Sequence, residues 1–88
     1  MTNVHAGTDV ITEIRAYIVE RFLFGQQSER LSNSASFMDL HLVDSTGILE
    51  VVTFLESRYG FKIADDEMIP ENLDSIDRIT AFVCRKQA

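Results

Sequence analysis

Asp44-Ser45-Thr46-Gly47-Ile48-Leu49-Glu50, midway along the chain, decides how the rest is read. Asp44 is a preferred helix N-cap residue, and its charge meets the positive end of the helix dipole. Behind it, Ile48, Val51, Val52, Leu55 and Tyr59 recur at i, i+3, i+4, i+7 and i+11, the stripe of a helix that buries one face. The spacing predicts a helix from Asp44 to about Tyr59, stopped by Gly60. The same register turns Thr46, Leu49, Glu50, Thr53 and Ser57 to solvent and leaves Leu49 as a small apolar spot beside an acid. Ser45 opens this helix with nothing nearby to make it a nucleophile. Its hydroxyl reads as an attachment point.

Upstream, Thr8 or Asp9 is placed to cap a first helix in which Val10, Ile11, Ile14, Tyr17, Ile18 and Phe22 recur at three- and four-residue steps, ending near Phe24-Gly25. Positions 1–7 read as a frayed terminus. Residues 26–36 are polar and serine-rich, a long loop with Leu31 as its one aliphatic anchor. Phe37, Met38, Leu40, Leu42 and Val43 return the chain to the core. Downstream, Phe61-Lys62-Ile63 alternates like a short extended link. Asp65-Asp66-Glu67 opens a short helical turn that Pro70 limits. Asp74-Ser75 offers a cap for a last helix with Ile76, Ile79, Phe82 and Val83 inward. Three main helices and one short one, in a single domain spanning 1–88, predict a small all-α bundle.

Composition bounds the function. At 88 residues, with 45% hydrophobic and 25% charged residues, the chain suits one small globular domain. No apolar run approaches the roughly 20 residues that cross a bilayer, and MTNVHAGTDV lacks the basic and apolar blocks of a signal peptide. The lone Cys84 has no partner for an internal disulfide, which with the missing signal points to the cytoplasm. Between Asp39 and Asp77 ten acids face only Arg58 and Lys62, a balance of −8. Such a field repels nucleic acid and attracts basic protein surfaces, although acids also serve solubility alone.

Phe37 through Phe61 resembles the phosphopantetheine attachment region of acyl carrier proteins and their peptidyl and D-alanyl relatives. The family pattern is a glycine-rich approach, Asp-Ser, then Leu or Met, with Glu five residues after the serine; Asp44, Ser45 and Glu50 match. Leu55-Glu56-Ser57-Arg58-Tyr59-Gly60-Phe61-Lys62-Ile63 resembles the family's Leu-Glu-x-x-Phe-x-x-x-Ile, and Leu73-Asp74-Ser75-Ile76 resembles the approach to its last helix. Gly47 is similar to the glycine that D-alanyl and related aminoacyl carriers commonly hold two after the serine. Two positions depart from the pattern. His41 stands for the usual glycine three before Asp44, where an unusual backbone angle is expected, and Thr46 replaces Leu or Met.

The resemblance implies an acyl-carrier-like bundle and a free-standing, monomeric carrier that is no enzyme itself. A phosphopantetheinyl transferase would move 4'-phosphopantetheine from coenzyme A to the Ser45 oxygen. The arm's thiol would then hold an acyl or aminoacyl group as a thioester for acyl or aminoacyl ligase and transferase partners. Asp44, Thr46, Leu49, Glu50 and Thr53 form the expected docking face. Gly47 tilts the cargo towards aminoacyl or specialised acyl groups. The competing class is a small acidic helical interaction module with no covalent modification.

Other chemistry is weaker. His41, Ser45 and Asp44 make a hydrolase triad only on paper, because such a site needs an oriented base and a substrate pocket. Ser75 also follows an aspartate, but capping explains it. Cys84 lacks metal-ligand partners and reads as a partly buried small apolar residue. Asp65-Asp66-Glu67 lacks the alternating ligands of a calcium loop. Met38 and Met68 read as core filler.

Overall fold

A computed structural model of the chain describes residues 7–25 and 31–87. It contains α1 (Gly7–Phe22), α2 (Ser45–Tyr59), α3 (Pro70–Leu73) and α4 (Ile76–Gln87), with a single 3-10 turn at Asp65–Glu67. No strand occurs among the described residues. The expected all-α bundle of three long helices and one short one is what forms.

The apolar periodicities explain why these helices meet. Val10, Ile14 and Ile18 of α1, Val51, Val52 and Leu55 of α2, and Ile76, Ile79, Phe82 and Val83 of α4 are all buried in one core. α4 packs against each of the other three helices. Leu31, Phe37, Val43 and Ile63 plug the core from the connecting segments. Leu31 anchors its loop as expected. The Arg15 guanidinium adds a polar tie, donating to the Leu31 carbonyl at 2.7 Å and to Asn33 Oδ1 at 2.8 Å. A row of rings follows the seam between helices: Tyr17 stacks on Phe54 at 4.0 Å, and Phe54, Tyr59, Phe61 and Phe82 continue it with centroids 6.2–6.5 Å apart.

Local chemistry sets the helix ends. Gly60 takes φ 77° and its N–H donates to the Glu56 carbonyl, a left-handed stop that glycine adopts without strain. At the head of α4, Ser75 Oγ accepts the Arg78 N–H at 3.1 Å, so Ser75 is the cap.

Several expectations need correction. α1 begins at Gly7, ahead of Thr8 and Asp9, so neither is the N-cap; helix starts slip by a residue or two when periodicity alone fixes them. The frayed terminus expected at 1–7 lies outside the described residues, apart from Gly7. Pro70 does not merely limit a turn: it occupies the first position of α3, where its missing N–H costs nothing. Met38 is 61% exposed and Leu40 49% exposed, because the 37–41 turn swings them outward while Phe37 and Val43 point in. Cys84 lies on the exposed side of α4. In the α2 stripe, Ile48 and Tyr59 are only half-buried, while Gly47 is buried with Val51, Val52 and Leu55.

Candidate attachment site and docking face

Asp44 sets the site's backbone. With φ −97° and ψ −171° it is extended, and its Oδ1 accepts the Gly47 N–H at 2.7 Å while its carbonyl accepts the Ile48 N–H at 2.9 Å. Its carboxylate is therefore engaged in holding the first turn of α2. Ser45 is the first residue of that turn and is exposed. Among the described residues nothing hydrogen-bonds its hydroxyl.

The approach to Asp44 explains its aim. The chain turns tightly, with the His41 N–H donating to the Met38 carbonyl and the Leu42 N–H to the Phe37 carbonyl. His41 holds φ 52°, the left-handed angle that glycine reaches more cheaply. The unusual angle expected there is present. His41 is exposed and makes no bond to Ser45 or Asp44, so the two residues of the paper triad are not brought to it.

Gly47 is a close-approach position. A Cβ there would lie 2.9 Å from Val43 Cγ1 and 3.0 Å from Phe22 Cε1. The end of α1 thus seats against the start of α2 only because residue 47 has no side chain.

Two concave regions flank the first turns of α2. On the outer side is an open groove of about 710 Å³ lined by Tyr17, Thr46, Leu49, Glu50, Thr53 and Phe54, with Ser57 and Arg58 at its far end. Four of the five residues expected to recognise partners line it; Asp44 does not. Leu49, one of its lining residues, is 57% exposed. The Tyr17–Phe54 stack forms an apolar wall, and the Tyr17 O–H donates to the Glu50 carbonyl at 3.3 Å. Burial first, and then the Glu50 charge, push the Tyr17 phenol above its ordinary range, so it remains a donor.

Charge around the groove is already balanced. Glu50 Oε1 lies 2.6 Å from Arg21 Nη2, an ion pair without hydrogen-bond alignment, and Arg58 pairs with Glu13. Glu50 is half-buried, more closely held than a free surface acid.

On the other side is a smaller apolar cavity of about 120 Å³. Val43 and Ile48, on either side of Ser45 in the chain, line it with Phe37, Met68, Ile69 and Leu73.

Sequence reasoning missed Tyr17 and Phe54 as groove residues. Tyr17 falls by its spacing on the core stripe of α1, and Phe54 stands at i+3 from Val51, a spacing that widens the apolar arc of α2 towards α1. Ser75 is 2% exposed, and its hydroxyl is used by the α4 cap, so it offers no accessible second site.

No known family model matches the chain.

Proposed function

We propose that this chain is a carrier that takes a phosphopantetheine arm on Ser45 and presents an acyl or aminoacyl group, held as a thioester on that arm, to partner enzymes. The observation that carries the reading is an exposed serine, without a hydrogen bond among the described residues, on the first residue of a capped helix. Its neighbouring acid is committed to the cap. A serine nucleophile needs a base within reach; a serine modified by a separate enzyme needs access and a fixed backbone. The site has the second set of properties. Activation of the hydroxyl belongs to the transferase, and thioester chemistry belongs to the arm.

The groove beside Ser45 suits docking of that transferase and of the loading enzymes. Leu49 and the Tyr17–Phe54 wall supply apolar area, with Thr46, Thr53 and Glu50 as its polar frame. Asp44 contributes through the cap. The 120 Å³ cavity on the other side is sized for a short apolar portion of cargo. The cytoplasm, where coenzyme A and the transferase meet reduced proteins, is the compartment that this reading requires. No described helix is long and apolar enough to cross a membrane.

Intact mass after incubation with coenzyme A and a promiscuous phosphopantetheinyl transferase tests the reading. The wild type should gain one arm. Ser45→Ala should gain none while keeping its helical circular dichroism, because Asp44 still caps α2. A wild-type chain that gains no mass would leave the unmodified interaction module as the better account. An arm on Ser45→Ala would move the site elsewhere.

A further inference from the structure

Among the described residues, two that are not glycine hold a left-handed backbone: Phe24 at φ 56° and His41 at φ 52°. For a bulky side chain such an angle is a true outlier, and for histidine it is uncommon. The fold uses the angle at both places, since Phe24 ends α1 beside Gly25 and His41 turns the chain towards Asp44. It does not use the side chains. Glycine or asparagine closes a helix in this conformation with less strain. Phe24 is 77% exposed and lies outside the core, and His41 is exposed with no hydrogen bond to its imidazole among the described residues. No core contact or internal hydrogen bond of these side chains offsets the strain.

Both residues border the start of α2, where Ser45 stands. Phe24 follows Phe22, whose ring edge would lie 3.0 Å from a side chain at Gly47, and Arg21 on the same turn pairs with Glu50. His41 is four residues before Ser45. The other large apolar residues exposed among the described ones gather at the same end. Leu40 adjoins His41, and Leu49 is about one helical turn past Ser45. Met38 and Ile69 share a wall with Val43 and Ile48, on either side of Ser45 in the chain. An apolar rim around one hydroxyl, on a chain of net charge −6, marks a contact surface.

Charge indicates the kind of partner. Asp44 is committed to the cap and Glu50 to Arg21, so both acids at the start of α2 are engaged within the chain. Asp39 adds a single exposed acid to the turn. A basic surface would find little here to pair with, whereas aromatic and aliphatic side chains would meet their like. We infer that Phe24 and His41 are docking contacts for the transferase that modifies Ser45, and that it meets them with an apolar surface rather than a basic one. The inference rests on the carrier reading. It extends the contact to the end of α1 and the turn before Asp44, since neither Phe24 nor His41 lines the outer groove.

The test measures two properties of unmodified wild type, Phe24→Asn and His41→Gly. One is the urea midpoint. The other is arm attachment from coenzyme A by a promiscuous phosphopantetheinyl transferase, followed by intact mass at low and high salt. Phe24→Asn should be at least as stable as wild type, because asparagine tolerates the left-handed angle. Its kcat/KM for attachment should nevertheless fall at least about fivefold, the scale of truncating a side chain that matters at an interface. The loss should lie in KM and persist in high salt, which screens charges but not apolar contacts. His41→Gly should keep its stability and lose attachment in the same way to a smaller extent, and it carries the test if Phe24→Asn does not fold. A side chain with only a structural role would lower stability and attachment together. Attachment at the wild-type rate, a loss that tracks lowered stability, or a loss that disappears in high salt would overturn the docking contacts. In each of those cases wild type still takes its arm and the Ser45 reading stands. A wild type that takes no arm would overturn both.

Discussion

Gly47 carries a constraint out of proportion to its size. An alanine there should gain up to about 1 kcal/mol of helix propensity over glycine. Its Cβ would also enter the space of Val43 Cγ1 and Phe22 Cε1, both within 3.0 Å. Overpacking of this kind costs about 1–3 kcal/mol and usually outweighs the propensity gain. Gly47→Ala is therefore expected to lower stability by about 1 kcal/mol net, read as a shift in urea midpoint at constant slope. A stabilised variant would show that Phe22 swings aside at no cost. The likeness to aminoacyl carriers drew attention to Gly47, but its packing role was not legible, because the contact with Phe22 joins residues 25 positions apart. His41 was more readable: a histidine where the pattern has glycine points to an unusual backbone angle, and φ 52° is found there.

At the scale of elements, α2 was legible almost to the residue. An N-cap aspartate and a stop glycine are chemical signals that act within one turn, so tertiary context does not override them. α3 was not legible, because four residues cannot hold a helix by propensity. It persists because Leu73 is buried and Arg78 reaches back to the Glu71 carbonyl. The outward turn of Met38 and Leu40 escaped for a related reason: apolar residues in a turn have no period from which to read direction. Within α2, Leu55 is 0% exposed at the centre of the stripe. Leu55→Ala should cost about 2–5 kcal/mol. Thermal unfolding that stays at the wild-type temperature would mean that the stripe faces elsewhere.

Across the whole molecule, α1 and α2 are fastened by a polar clamp beside the row of rings. The Tyr59 O–H donates to Glu13 Oε1 at 2.7 Å, and Arg58 pairs with the same carboxylate. The Tyr59 bond is the foremost cause holding Glu13 below its ordinary value of 4.5, against a smaller opposing effect of burial. A lowered folded value gives stability that is present above pH 4.5 and lost as pH falls through that lowered value. Tyr59→Phe should cost about 1 kcal/mol at neutral pH, since the site is partly exposed. It should also flatten the acid limb of a stability-against-pH curve. Equal acid limbs in both proteins would place the acid sensitivity elsewhere. The proposed docking face belongs to this scale too, since the groove is lined by Tyr17 from α1 beside the outer face of α2. Because Glu50 already shares its charge with Arg21, the apolar contact should dominate partner lifetime. Leu49→Ala is expected to speed dissociation of the transferase at every ionic strength, with helicity unchanged, as read by surface plasmon resonance. Dissociation at the wild-type rate would put the docking centre off this groove.

The Ser45 hydroxyl, unbonded among the described residues, has a consequence over evolutionary time. Folding alone would let position 45 drift towards proline, glutamate or alanine, all well suited to the first turn of a helix. Selection for stability cannot see the serine, yet it sees Gly47 two positions later. If Ser45 carries the proposed arm, a descendant lineage released from it should lose the first and keep the second.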